Sequence, residues 1–539
     1  MPTSPRRRSL AAVAAALVLA PVAPLVTGGP SHAEPEPTPS ATNLLTDLGP
    51  ALGSPRAWAT RALALEAGRL GVDAASVRWE SVHRSLIGVH VRGRSYRDGV
   101  PVAGSDVLVS AIDGRIAQVA AAPVDLPGHA VSRAVPTRVA RAAAVAAIGS
   151  TDLLVTPHLT RALVPVGDRL RDTWTVSLVS QVPARAATVQ VDAATGAVRS
   201  IVDDSDAARA KRDGGETVQA QVFDPNPVVT ARDTSLRSPF ETGTGVDVPL
   251  DSAELTAQLK TRPMRHLDAS ALQQGRLLGP WADIVAPVGY LTALGEPLGY
   301  SRTDPRFVGL MSYLHVDRYQ SWLQSLGIKD ANAEPQRIVP TLAQGYDNSF
   351  YQPGNDIIVF GGGGVPDAED AEVILHEYGH AMQDAQVPGY GATDAGGSMG
   401  EGFGDFNAAN YFAMTSDGFN DLCAAEWDAT AYSTDDPPCL RRLDSTKRFP
   451  ADIEGEVHAD GEMWSAFLWR VRDHLGRTAK QKSVNAIKLV TSMHELLTPQ
   501  AEYGDAVAGL IRAARALGHP AWARAVVREA KVTGYPTTP

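Results

Sequence analysis

DAEDAEVILHEYGHAMQDA, residues 367–385, decides how the rest of this 539-residue chain is read. Its pattern predicts a helix, with Asp367 after Pro366 as the expected N-cap and Val387-Pro388-Gly389 as the stop. Positions i and i+4 share a helix face. His376 and His380 therefore aim their imidazoles at one point, as two zinc ligands must. Glu377 lies beside them, outside the ligand pair, where a general base would stand. The plain alternative is two solvated histidines on an ordinary helix. A third ligand separates the two readings.

Catalytic zinc takes three protein ligands and keeps one position open. A histidine at position 386 would supply the metzincin ligand, but the chain has Gln386. Downstream, GSMGEGFGDF (397–406) offers Glu401 and Asp405, again one helical turn apart. Residues 381–400 leave room for a loop and the start of a second helix. Glu401 then completes the ligand set, and Asp405 accepts from the far nitrogen of a ligand histidine. A solvated acid on a helix is the alternative for Asp405. Further on, GEVHADGEMW (455–464) holds His458, a candidate oxyanion donor. Glu456 and Asp460 are both placed to orient it, and the spacing does not choose between them.

The bulk composition agrees with a soluble globular protein, at 44% hydrophobic and 20% charged residues. A net charge of −11 argues against a nucleic-acid partner. Arg6-Arg7-Arg8, the apolar run Leu10–Val26 and the small-residue site Ser31-His32-Ala33 read as a secretory signal. No later stretch is apolar enough to span a membrane. The expectation is a released, extracellular monomer without stable membrane insertion. Cys423 and Cys439 are the only cysteines. In a secreted chain they can form a disulfide, with two free thiols as the alternative. Two cysteines cannot build a Cys-rich zinc site.

Two segments of similar logic follow the Pro-rich linker 34–41. Each opens with a helical pattern (57–70 and 136–148) and continues as an antiparallel meander. Asp98-Gly99, Asp113-Gly114 and Ala194-Thr195-Gly196 are the turn signals. The polar stretch 203–216 reads as an exposed connection, with Lys211-Arg212 as a proteolysis point. Residues 217–360 read as short strands and loops, and helical patterns dominate from about 366. The glycine run FGGGGV (360–365) lacks the Lys-Ser/Thr of a phosphate loop and fits a strand end near a cleft.

HEYGH (376–380), GEGFGDF (400–406) and EVHADGEMW (456–464) together resemble the fungalysin metallopeptidases, secreted relatives of thermolysin. RSYRDGVPVAGSDVLVSAIDG (94–114) resembles the fungalysin/thermolysin propeptide, residues 136–205 resemble a PepSY-type module, and VFDPNPV (222–228) is similar to the start of the catalytic domain. The resemblance implies an α+β fold. A bilobed thermolysin-like catalytic domain (213–539; β-rich N-lobe about 213–375, mainly α-helical C-lobe about 376–539) has zinc in its cleft. Signal peptide 1–33 and two small α+β prodomain modules, 34–135 and 136–212, precede it.

The resemblance further implies one zinc on His376, His380 and Glu401, with Glu377 as base, Asp405 behind His376, and His458 on the oxyanion. DNSFY (347–351) is similar to the substrate-binding edge segment, with Asn348 and the main chain of Ser349 holding the substrate backbone. LRRLDS (440–445) offers Arg441 or Arg442 for a substrate carbonyl, and Tyr390 stands roughly where thermolysin has a catalytic tyrosine. A hydrophobic residue is expected just after the cut bond. Calcium has no specific motif here, because Asp367, Glu369 and Asp370 suit helix capping equally well. Gly379 departs from the usual HEYTH and costs about 1 kcal/mol of helix propensity.

The expected function is a secreted zinc endopeptidase made as a zymogen. Its partners are protein or peptide substrates and its own prodomain, acting as intramolecular chaperone and inhibitor. One alternative is a gluzincin aminopeptidase, although no GAMEN-type segment is found. The other is a non-catalytic secreted protein retaining the peptidase fold.

Overall fold

Asp98-Gly99 and Asp113-Gly114 take positive φ at both residues (52° and 82°; 50° and 73°). Two-residue hairpins need this left-handed pair to match the twist of their strands. The first turn joins β3 (Gly88–Arg97) to β4 (Val100–Ile112), and the second joins β4 to β5 (Arg115–Ala121). β1 (Thr42–Leu45) and β2 (Val77–Arg84) flank this meander. Helix α1 (Pro55–Leu70) begins with proline and ends at left-handed Gly71. It buries Trp58, Ala62 and Leu63 against Val91, Val109 and Val119.

The computed structural model describes residues 41–182, 184–203, 215–241, 248–286, 290–291, 297–342 and 346–537. The signal-like segment 1–33 and Lys211-Arg212 lie outside the described residues.

Helix α2 (Thr137–Ile148) precedes β6 (Asp152–Leu153), β7 (His158–Val166), β8 (Arg169–Val182), β9 (Ala184–Asp192) and β10 (Val198–Asp203). It packs Ala140, Ala144 and Ile148 on Val176, Leu178 and Val189. The two segments share one ten-stranded sheet, because β4 pairs in parallel with β7 at Val102 and Leu163.

Beyond residue 215 the chain is mixed α+β. β11 (Glu216–Val222) pairs with β14 (Lys260–Leu267). Between them lie α3 (Pro227–Ala231), the ribbon β12 (Phe240–Glu241) and β13 (Val248–Pro249), and α4 (Ala253–Thr256). After α5 (Ala269–Gln273), β15 (Ala282–Ile284), β16 (Gln336–Val339) and β18 (Ile357–Val359) run in parallel. β17 (Phe350–Gln352) is their antiparallel edge. This region also holds a twenty-residue helix, α6 (Arg306–Ser325), which corrects the expectation of strands and loops alone. Fourteen of its residues are buried, on all sides, so its sequence shows no one-faced apolar stripe.

Six helices complete the chain: α7 (Ala371–Gln386), α8 (Asp394–Phe412), α9 (Val457–Arg472), α10 (Ala479–His494), α11 (Tyr503–Ala516) and α12 (Pro520–Thr533). A two-residue ribbon, β19 (Cys423–Ala424) with β20 (Arg441–Arg442), sits between α8 and α9. One core joins α6 to the helices, through Phe307, Tyr319, Tyr378, Phe403, Phe406 and Trp464. Among the described residues, no helix is long and apolar enough to cross a membrane.

The ten-stranded sheet is docked on this region. Arg92 of β3 is buried and donates to three carbonyls at the end of α10: Leu497 (2.8 Å), Glu495 (3.3 Å) and His494 (3.4 Å). A guanidinium there meets the negative end of the helix dipole. Gln118 donates to the Leu496 carbonyl at 2.9 Å. On the other side, Val155, Val179 and Ala186 pack with Val339, Phe350 and Ile357. Gln352 in the edge strand donates to the Leu178 carbonyl at 3.2 Å.

Candidate active site

The site is assembled by glycines. A Cβ on Gly404 would lie 2.6 Å from His376 Nδ1, and one on Gly402 would lie 2.3 Å from the Gly461 carbonyl oxygen. A Cβ on Gly461 would lie 2.8 Å from that of Glu401. Helix α8 therefore touches α7 and α9 backbone to side chain, closer than any other residue type permits. Gly379 belongs to the same seam, since its Cβ would stand 3.3 Å from Gly404 Cα. The helix propensity lost at these positions is the cost of bringing three helices onto one point.

At that point His376, His380 and Glu401 converge. His376 Nε2 lies 3.2 Å from Glu401 Oε2 and 3.2 Å from His380 Nε2. His380 Nε2 lies 3.5 Å from Glu401 Oε1. Tetrahedral ligation at zinc–ligand distances near 2.1 Å places neighbouring donors about 3.4 Å apart. The triangle thus has the size that zinc requires, and its donor set, two imidazoles and one carboxylate, suits that ion. Among the described residues, these are the only three such side chains with donor atoms all within 4.8 Å.

The supporting groups are ordered by charge. His376 Nδ1 donates to Asp405 Oδ1 at 2.9 Å, which turns Nε2 toward the other two donors. Asp405 is gripped in turn by Arg441, at 2.6 and 2.7 Å. Burial opposes charge on His376, but Asp405 and Glu401 outweigh it and hold its proton up to about 10. Burial pushes His380 down to about 4. Burial also opposes the charge on Glu401, yet His380 and His376 bring its carboxyl far below the usual range. Glu377 is buried, its Oε2 has no hydrogen-bond partner, and burial pushes it up to about 8.

A cavity of about 560 Å³ opens over these groups. Asn348, Ser349, Tyr390, Arg441 and His458 line it. Asn348 is exposed, two residues before edge strand β17. The glycine run behind it fits the close approach of this segment, because a Cβ on Gly361 would meet Asn348 N at 2.8 Å. Tyr390 leans on His494, with ring centres 6.1 Å apart. His458 reaches Glu401 with Nε2 at 3.3 Å and Glu456 with Nδ1 at 2.7 Å. Glu456 is therefore the acid that orients His458. Asp460 instead accepts from the backbone of Glu454 and Gly455.

Two expectations need correction. Arg442 does not line the cavity: its guanidinium pairs with Asp444 at 2.8 Å, leaving Arg441 of the two candidates. Asp367 does not cap α7. That helix starts at Ala371, and Asp370 caps it by accepting from Glu372 N at 2.9 Å. Ser349 donates to the Asp367 carboxylate, which lines the cavity instead. Glu369 is held by Arg302 at 2.7 Å. The Arg441 grip on Asp405 is not visible from sequence spacing. The small-residue pattern Gly400, Gly402, Gly404 within one helix is its one legible companion.

Cys423 and Cys439 form a disulfide, with Cα atoms 5.3 Å apart. A ribbon of two residues per strand cannot sustain itself. The bridge clamps β19 to β20, and so holds Ala424, Leu440 and Arg441 in the cavity wall. Replacing both cysteines with serine should cost about 3 kcal/mol, the worth of a loop of this length. Denaturant midpoints of wild type and variant, with and without reductant, check this; equal midpoints would count against it.

Residues 367–498 match the family model described as fungalysin metallopeptidase (M36). No curated protein matches the chain. The matched stretch contains all three converging donors, Glu377, Asp405 and His458. Over this stretch, about a quarter of the chain, the sequence is similar to the fungalysin metallopeptidases.

Proposed function

We propose that the chain is a secreted zinc endopeptidase made as a zymogen, with the bilobed thermolysin-like catalytic domain that the family resemblance implies. The observation that carries this reading is the convergence of the three donors, with His376 Nε2 and His380 Nε2 3.2 Å apart and lying 3.2 Å from Glu401 Oε2 and 3.5 Å from Glu401 Oε1 respectively, and with Glu377 buried beside them. Zinc, when bound there, supplies Lewis acidity. Glu377 takes the proton of the attacking water and returns it to the leaving nitrogen. His458, oriented by Glu456, donates toward the developing oxyanion. Arg441 and Asp405 hold His376 still while the charge moves. Asn348 and the edge strand β17 align an extended peptide by adding it as a further strand.

The zymogen reading is supported by the docked sheet, residues 42–203. It buries Arg92 at the α10 terminus and packs on Phe350, a residue of the edge strand that lines the cavity. Peptides blocked at both ends separate this reading from an aminopeptidase. The expected result is internal cleavage, stopped by a chelator and restored by zinc. Cleavage that requires a free amino terminus would favour the aminopeptidase, and chelator-insensitive cleavage would exclude both.

A further inference from the structure

The cavity over the donor triangle has a second, acidic wall. Asp367 and Asp428 line it at 3% and 4% exposure, and Oδ1 of each has no hydrogen-bond partner. Asp347 lies at its exposed edge, accepting from Tyr432 Oη at 2.6 Å. Among the described residues, the one arginine or lysine lining the cavity is Arg441, and Asp405 already holds it. Buried carboxylates without a cation are costly. Here the cavity itself leaves space for one to arrive.

The form of that cation follows from the spacing and the surroundings. Asp347, Asp367 and Asp428 do not bring their oxygens within 4.8 Å of one another, so one small ion is not held by all three. A guanidinium or ammonium on a long stem has several donors and spans such a spread. Val373, Ala424 and Leu440 line the same cavity and give the stem an apolar surface.

The position along the substrate follows from Glu377. As the group that returns a proton to the leaving nitrogen, it stands on the amine side of the cut bond. Asp367 and Asp428 line the same cavity as Glu377. We propose that Asp367 and Asp428 form a subsite for the Lys or Arg side chain of the residue directly after the cut bond. This rests on the endopeptidase reading above and replaces the hydrophobic preference that the resemblance implies. Burial pushes Asp367 up to about 7 and Asp428 well above the carboxylate range, and neighbouring acids add to both. A bound side-chain cation ionises them.

The test uses the zinc-loaded protein after it has matured and released its prodomain, on a peptide library that keeps internal Lys and Arg, with products read by mass spectrometry. In parallel, argininamide and leucinamide binding is measured by calorimetry, which needs no turnover. New amino termini should begin with Lys or Arg at least about tenfold more often than with Leu or Phe. Argininamide should bind more tightly than leucinamide by a similar factor. Asp428→Asn and Asp367→Asn should abolish both preferences, and Asp347→Asn, at the exposed edge, should weaken them without risk to the fold. New termini dominated by Leu or Phe and unchanged by these substitutions would overturn the proposal. So would argininamide binding no better than leucinamide, or Ca²⁺ binding that is lost in Asp428→Asn. If no peptide is cut, the endopeptidase reading fails, while the binding comparison still decides the subsite.

Discussion

Glu377→Gln should keep one zinc per chain and lose peptide hydrolysis by a factor of about 10² to 10⁴, the usual contribution of a positioned acid–base group. The amide has the shape of the carboxyl it replaces. Burial disfavours the Glu377 anion, pushing its carboxyl up to about 8. Glu377 contributes nothing to the donor triangle. Casein digestion and zinc content, measured on the same preparation, check both halves. Wild-type digestion by the variant would remove Glu377 from the mechanism.

Gly404→Ala should strike the donor cluster directly, through the ring of His376. The added carbon would lie 2.6 Å from Nδ1, 2.7 Å from Cε1 and 2.8 Å from Cγ of His376. No retained geometry accommodates it. Either the ring leaves its 2.9 Å bond to Asp405, or α8 moves off α7. Overpacking of this kind costs about 1–3 kcal/mol, and disturbing the carboxylate behind a ligand histidine lowers metal affinity about 10–100-fold. Gly400 in the same helix is the control. Its Cβ would meet nothing closer than Gln383 Oε1 at 3.6 Å. Gly400→Ala should therefore leave zinc binding intact and gain about 0.5–1 kcal/mol of helix stability. Zinc competition and thermal unfolding of the pair check this. Equal behaviour of the two variants would mean that the helices are not packed through Gly404.

The donor triangle is legible in sequence because helix geometry is local. His376 with His380, and Glu401 with Asp405, each need only one turn of helix to share a face. Turn residues are legible for the same reason, as the positive φ of Asp98-Gly99 and Asp113-Gly114 shows. What depends on distant partners is not legible. Asp367 looks like a cap because it follows Pro366, but Ser349, eighteen residues earlier in the chain, draws its carboxylate into the cavity. Helix α6 has no apolar stripe because its neighbours cover it all round. Gly379 is recognisable as a glycine inside a helix, where it costs about 1 kcal/mol against alanine. Its reason, a backbone crossing 3.3 Å away at Gly404, exists only once α7 and α8 meet. Arg92 carries no motif, since its partners are carbonyls some four hundred residues away.

Elemental analysis of the purified full chain tests the central claim most directly. The account requires one zinc per chain in the wild type and in Glu377→Gln, and its loss in His376→Ala, His380→Ala and Glu401→Ala. Full zinc content retained by Glu401→Ala, or a folded wild type that takes up none when zinc is supplied, would contradict it.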